Sequence, residues 1–297
     1  MRGIALTGAA AAALDSGYEF SELVGTSAGA IVSSLVAAGY TSEELRQAVT
    51  GVDWPGILEH RGGLRKNLSM MIRLGFQSGK RLERTLRNLL AAKGVRRFGD
   101  LRTGSLRVVT TDLNHGRGLI LPDGLESLGH DPAQFSVSRA VLMSSSVPFV
   151  FEPVSLHDRI TGEELLMADG AMTARFPVQL VPRKPTTIGF RLRVPEDSHQ
   201  HHRIRGPVSL AMAVIGAGIT AREDLPVLCG SLDRVVEVEV DHDSLDFDIS
   251  KARAGELFDI GYQVRLRLSR FLRSQLTPKR SSPDLPPASP ERDSPPA

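Results

Sequence analysis

The sequence predicts an α/β fold with a mainly parallel central sheet and helices on both faces. Apolar residues at helical spacing alternate along the chain with short β-branched runs, and strands that alternate with helices are typical of this class. The sequence has no run of 18 apolar residues that could span a membrane. The 297 residues, 41% of them hydrophobic, are enough for a buried core. We place one domain at residues 1–274 and a disordered tail at 275–297, where 7 of the 18 prolines fall.

The helices are predicted from apolar spacing and from end signals. Residues 3–16 indicate an alanine-rich helix, although the same stretch also has the composition of a secretory signal. A second helix follows Ser27, and Gly39 is placed to end it. Thr41 with Glu44 three positions later predicts a capping box. A further apolar face is formed by four leucines, Leu82, Leu86, Leu89 and Leu90, with Gly94 as its stop.

The strands are predicted from β-branched runs at 106–111, 186–192 and 235–240. Because these runs alternate with the helical stretches, they favour strands that lie side by side with helices packed on them.

The charge balance excludes some partners. The chain has 36 Lys and Arg against 34 Asp and Glu, so its net charge of +2 gives no case for nucleic-acid binding. Residues 61–97, however, carry eleven Lys or Arg and one acidic residue, Glu83. Such a segment fits a solvated helix face with an ordinary core side, or contact with an anionic lipid surface, and both interpretations stay open. The single cysteine, Cys229, excludes an intrachain disulfide framework and fits a reducing compartment, so we expect a cytoplasmic protein, peripheral at the membrane.

The strongest local motif is Gly25-Thr26-Ser27-Ala28-Gly29. It lies between an apolar pair of residues and a helix, which is the context of a nucleophile elbow. Glycine at 25 and 29 permits a tight strained turn, so that the hydroxyl of Ser27 is exposed at the helix N-terminus. There the helix dipole and free N–H groups favour the anion that forms in acyl transfer.

A nucleophilic serine needs a base, and the histidines offer weak candidates. Four of them lie late enough for an α/β-hydrolase triad, but none is in a recognisable setting: His199, His201, His202 and His242. The acidic run at 241–248 lacks the glycine and terminal glutamate of a calcium loop. We therefore predict no metal and no cofactor.

In the motif around Ser27 and in several later blocks, the chain resembles the patatin-like phospholipase family. Residues 24–30 are similar to its nucleophile motif, and Asp169-Gly170-Ala171 is similar to its second motif. Residues 144–149, 111–113 and 246–248 resemble further blocks, and the likeness runs from Met1 to about residue 269.

The resemblance implies a three-layer fold and a Ser27–Asp169 dyad without histidine. Asp169 would act as the base, helped by desolvation or by a close hydrogen bond, since an aspartate is a weak base. The residues that would complete the oxyanion hole and the motifs are Arg2, Gly3, Gly25, Ala28, Gly29, Gly170 and Ala171.

Two features depart from the family pattern. Met1-Arg2-Gly3 matches only the end of a glycine-rich turn that supplies oxyanion donors, so we expect a strand and glycines to be missing upstream and hydrolysis to be weakened. The asparagine usual before Phe176-Pro177 is also missing.

The function expected from the sequence is a lipid acyl hydrolase similar to phospholipase A or lysophospholipase, with a lipid or fatty-acyl ester as its substrate. Two alternatives stay open: an inactive lipid-binding or interaction module with the same fold, and a carboxylesterase of the α/β-hydrolase type with a late histidine.

Overall fold

The structure is a computed structural model that describes residues 1–57, 75–174, 176, 177, 180, 187–193, 204, 206, 210, 211, 213–217, 235–241, 248–265 and 268. The main helices are α1 (Gly3–Asp15), α2 (Ala28–Ala37), α3 (Ser42–Gly51), α4 (Trp54–Ile57), α5 (Lys80–Ala92), α6 (Val137–Ser145), α7 (Ala171–Ala174) and α8 (Lys251–Tyr262). The strands are β1 (Leu23–Thr26), β2 (Gly75–Gln77), β3 (Leu106–Asp112), β4 (Arg117–Leu121), β5 (Phe149–Phe151), β6 (Val154–His157), β7 (Glu164–Asp169), β8 (Gly189–Arg193) and β9 (Val235–Glu239). Short 3-10 turns lie at Phe98–Asp100, Asp123–Leu128 and Pro132–Gln134.

In the part of the chain that the structure describes, β3 is the centre of a five-stranded sheet. β1 pairs with β3 in parallel, β4 and β7 pair with it antiparallel, and β6 continues antiparallel from β7. β2 with β5 and β8 with β9 form two further parallel pairs. Every residue of β3 from Val108 to Asp112 is buried, so packed layers cover both faces. The predicted α/β class is confirmed, and short hairpin connections make the described sheet mixed.

Helix α1 is a core element. All its residues from Ile4 to Ala13 are buried, and it packs against α2, α3 and α8. Its small side chains let α8 approach closely: a Cβ built on Gly8 would lie 2.0 Å from the carbonyl oxygen of Phe258. The helix predicted at 3–16 is confirmed, and its alanines serve close helix packing.

The predicted helix ends are also found. Thr41 accepts a hydrogen bond from the backbone of Glu44, and the Glu44 side chain accepts one from Thr41, which completes the capping box of α3. Helices α2 and α5 end just before Gly39 and Gly94, whose φ angles of 85° and 75° are left-handed. These helix ends depend only on residues that are close in sequence, so they can be predicted without knowledge of the fold.

The strands predicted at 106–111, 186–192 and 235–240 correspond to β3, β8 and β9, and β8 begins at Gly189. Other predictions lie outside the described residues: the tail at 275–297, residues 61–74 of the basic segment, and the late histidines His199, His201, His202 and His242. Among the described residues, no helix combines the length and the apolar character that a membrane span requires.

Candidate active site

Two strand ends meet beside the middle of β3. The last residue of β1, Thr26, pairs in parallel with Val109. The last residue of β7, Asp169, pairs antiparallel with the next residue, Thr110. Since β4 pairs with both Val109 and Thr110, β1 and β7 lie together along the opposite side of β3. The residue that follows β1, Ser27, is therefore brought to the end of β7.

Ser27 occupies a sharp turn between β1 and α2. Its φ of 54° and ψ of −122° lie in a region that residues other than glycine rarely adopt. A Cβ on Gly25 would lie 2.3 Å from the carbonyl oxygen of Gly29, so glycine is needed for the strand and the helix to approach this closely. The strand, turn and helix predicted around Ser27 are all present.

The hydroxyl of Ser27 donates a hydrogen bond to Asp169, with 2.6 Å between Oγ and Oδ2. Asp169 is only 4% exposed, and its other carboxylate oxygen accepts the N–H of Ala171 at 2.8 Å. A bond of this length from a hydroxyl to an ionised carboxylate is charge-assisted. The two residues that the sequence singled out as nucleophile and base are in direct contact, and the backbone orients the carboxylate.

The end of β7 is fixed from two sides. Thr111 donates its hydroxyl to the carbonyl oxygen of Asp169 at 2.9 Å. A Cβ on Gly170 would lie 2.1 Å from the carbonyl oxygen of Val109, so this position needs glycine. From the sequence, Thr111 was predicted only to belong to residues 111–113, which resemble a block of the family. Its contact with Asp169 depends on the register between β3 and β7, which no local pattern reports.

Two helix N-termini converge near the serine. Ala28 is the first residue of α2, and the N–H groups of a first turn have no acceptor within their own helix. Gly3, the first residue of α1, lies against it: a Cβ on Gly3 would be 2.7 Å from the Cβ of Ala28. Arg2 is the half-buried N-cap of α1. The positive ends of two helix dipoles thus lie beside the turn that holds Ser27, and helix N-termini of this kind favour anions.

A turn of three serines closes the site at the end of α6. Ser144 accepts the backbone N–H of Ser27 at 2.9 Å, and Ser145 donates its hydroxyl to the carbonyl oxygen of Ser27 at 3.3 Å. The carbonyl oxygen of Ser146 accepts the backbone N–H of Asp169 at 2.9 Å. From the sequence, residues 144–149 were predicted only to resemble a family block, with no contact assigned to them. In the structure this block contacts both Ser27 and Asp169.

The histidines within the described ranges are bonded elsewhere. His115 contacts Asp112 at 2.8 Å, His130 contacts the carbonyl oxygen of His157 at 2.7 Å, and His157 contacts Glu164 at 3.0 Å. Across those same ranges, no three His, Cys, Asp or Glu side chains are grouped as metal ligands would be.

The fold and the paired serine and aspartate define an α/β protein with the groups needed for acyl transfer. The family described as patatin-like phospholipase matches residues 1–181, more than half of the chain. The chain belongs to this family of lipid acyl hydrolases, and the predicted three-layer α/β fold is confirmed with it.

Two relatives match over most of their length. "Uncharacterized protein YqhO" of Bacillus subtilis (strain 168) is 34% identical over 269 residues, which cover 88% of this chain and 92% of that protein. "Uncharacterized protein R571" of Acanthamoeba polyphaga mimivirus is 24% identical over 248 residues, which cover 80% of this chain and 78% of that protein. The likeness therefore continues beyond residue 181.

Proposed function

We propose that this protein is a serine esterase that cleaves fatty-acyl esters of phospholipids or lysophospholipids through Ser27 and Asp169. One observation carries the proposal: the 2.6 Å hydrogen bond between Ser27 Oγ and Asp169 Oδ2, made from a strained turn at a helix N-terminus. A serine activated by an adjacent base is the arrangement that nucleophilic acyl transfer requires.

The reaction runs in two halves. Ser27 Oγ attacks the ester carbonyl carbon while its proton passes to Asp169 Oδ2. The intermediate collapses, the alcohol or lysolipid leaves with that proton, and the acyl group stays on Ser27 as an ester. Water then gives a proton to Asp169 and attacks this ester, which releases the fatty acid and returns a proton to Ser27.

The oxyanion that forms in each half needs donors. The N–H of Ser27 is already bonded to Ser144, so we assign the role to the N–H of Ala28, with further donors from the start of α1 at Arg2 and Gly3. Removal of one such donor typically costs about 100- to 1,000-fold in rate.

Hydrolysis by point variants tests the proposal. Fatty-acid release is measured from phosphatidylcholine vesicles, from lysophosphatidylcholine and from a short-chain nitrophenyl ester. Ser27→Ala should lower kcat at least about 1,000-fold, because no other group forms the acyl-enzyme. Asp169→Asn keeps the shape of the side chain but removes the base, and should lower kcat by about 100- to 10,000-fold. Ser127→Ala, which removes an exposed serine hydroxyl bonded to Gly124, is the matched control.

The alternatives give different results in the same assay. Lipid binding by the wild type without any hydrolysis would favour the binding module. Loss of hydrolysis in His242→Asn, with Asp169→Asn active, would favour the α/β-hydrolase triad and contradict the dyad.

We also propose that the basic segment at 61–97 contacts an anionic lipid surface. Its described part includes α5, where Lys80, Arg84 and Arg87 are exposed while three leucines on the other face are buried. Each cation near such a surface contributes on the order of 1 kcal/mol. Co-sedimentation with phosphatidylglycerol vesicles should weaken in Lys80→Glu/Arg84→Glu and stay unchanged in Arg253→Glu. Equal sedimentation of the wild type and both variants would contradict lipid contact and indicate that the charged face of α5 is only solvated.

A further inference from the structure

We propose that Ser144 is a positioning residue for the nucleophile: its buried hydroxyl holds the backbone of Ser27 in the strained turn that aims Oγ at Asp169. The inference rests on the proposed esterase function. Ser144 is completely buried at the end of α6, so its side chain does not contact bulk water. It acts through Ser27 and does not touch the substrate.

The hydroxyl of Ser144 has fixed roles. It accepts the backbone N–H of Ser27 at 2.9 Å and lies 2.5 Å from the carbonyl oxygen of Val109. A carbonyl oxygen carries no hydrogen, so the single hydroxyl proton must go to Val109. The hydroxyl is thus a bridge with one donor on one side and one acceptor on the other.

This bridge replaces a rung of the parallel ladder between β1 and β3. The N–H of Leu23 donates to the carbonyl oxygen of Ser105 at 2.8 Å, and rungs of this kind recur every second residue in a parallel pair. Continued in the same register, the ladder would pair the N–H of Ser27 with the carbonyl oxygen of Val109 two rungs further along. The oxygen of Ser144 stands between these two groups, so the chain leaves the sheet at Ser27 while both groups keep a partner.

The strained turn needs such support. A residue at φ 54° and ψ −122° persists only where its surroundings over-determine the conformation. Without the hydroxyl of Ser144, the Ser27 N–H and the Val109 carbonyl would each lose this partner. If they move together into a direct rung, the direction of Ser27 Oγ changes; if they stay apart, the strained turn loses the contact that holds it and Oγ is no longer fixed.

The base is held independently of this side chain. The same turn of α6 contacts the end of β7 through backbone oxygens: Ser146 accepts the N–H of Asp169 at 2.9 Å, and Ser144 accepts the N–H of Gly170 at 3.2 Å. These contacts survive a change of side chain at 144. A substitution there should therefore disturb the nucleophile while Asp169 stays in place, and it should leave substrate binding unchanged.

Steady-state kinetics of Ser144→Ala test the inference. We expect kcat to fall about 10- to 100-fold, since misplacement of a reacting group by about 1 Å can cost 100-fold, while KM changes less than twofold. The matched control is Ser138→Ala, which removes a serine hydroxyl from the same helix at a site that is 2% exposed. Ser138 lies at the opposite end of α6, so its kcat should stay within twofold of the wild type.

Two further variants keep the inference falsifiable if Ser144→Ala does not fold. Ser144→Cys keeps the shape but replaces the hydroxyl by a weaker hydrogen-bonding group, and should lower kcat with KM unchanged. Ser144→Thr keeps the hydroxyl and should retain more kcat than Ser144→Cys.

The outcomes separate this inference from the proposed function. Full kcat in a folded Ser144→Ala or Ser144→Cys, with an active wild type, would overturn the positioning role and leave the esterase proposal intact. An equal loss of kcat in Ser138→Ala would also overturn it. An inactive wild type would overturn the esterase proposal, and the inference that rests on it.

Discussion

Replacement of Gly261 by alanine should separate two helices that carry the core. Gly261 lies on α8, where a Cβ would be 1.7 Å from the carbonyl oxygen of Ala5 on α1. Ordinary van der Waals contact starts at 3.4 Å, so the two helices would have to move apart by about half of that distance, 1.7 Å, to remove the clash. The opposing atom belongs to a helix backbone and cannot rotate away. Overpacking of this kind costs about 1–3 kcal/mol, and a backbone clash belongs at the upper end of that range.

Gly255→Ala is the matched control for this prediction. Gly255 lies on the same helix, and a Cβ there meets nothing within 4 Å. Both variants gain about 1 kcal/mol of helix propensity over glycine, so the difference between them isolates the packing cost. In thermal unfolding we expect Gly261→Ala to melt about 6–12 °C below Gly255→Ala, since a cost of about 3 kcal/mol lowers the melting temperature by about 2–4 °C per kcal/mol. Equal melting temperatures would refute the close approach of α1 and α8.

Substitutions at Gly170 and Glu44 test the site and a helix cap. Gly170→Ala would push against the carbonyl oxygen of Val109 and displace the adjacent base, so kcat should fall about 100-fold, and unchanged hydrolysis would contradict the contact. Hydrogen bonds from Lys93 and from Thr41 lower the pKa of Glu44 from 4.5 to about 2. A lowered pKa stabilises the fold above the unfolded value and loses that effect as pH falls from about 4.5 to about 2. The melting temperature of Glu44→Gln should therefore fall less than that of the wild type over this pH range. An equal fall in both proteins would refute the lowered pKa of Glu44.

Local signals in the sequence predicted much of the fold. The capping box at Thr41 and Glu44, the left-handed glycines after α2 and α5, and the turn around Ser27 each depend on a few adjacent residues. The pairing of Ser27 with Asp169 was predicted only by family resemblance, because the two are far apart in sequence and no spacing rule relates them. The structure gives the physical reason: β1 and β7 end at neighbouring residues of β3.

Contacts that depend on strand register or helix docking could not be predicted. The hydroxyl of Thr111 reaches Asp169 only because β3 and β7 pair in one register, and a shift of one residue would turn it to the other face. The bridge made by Ser144 likewise requires α6 to end beside β1. The requirement for glycine at positions 8 and 261 is likewise visible only once α1 and α8 are packed together, because a Cβ at either position would meet the backbone of the other helix.

Covalent labelling is the most direct test of whether Ser27 is a nucleophile activated by Asp169. The full chain is treated with a fluorophosphonate, which reacts with activated serines, and the modified peptide is identified by mass spectrometry. We expect a single adduct on Ser27, formed much more slowly in Asp169→Asn and lost in Ser27→Ala. An adduct on another serine, or labelling of Ser27 at an equal rate in Asp169→Asn, would contradict it.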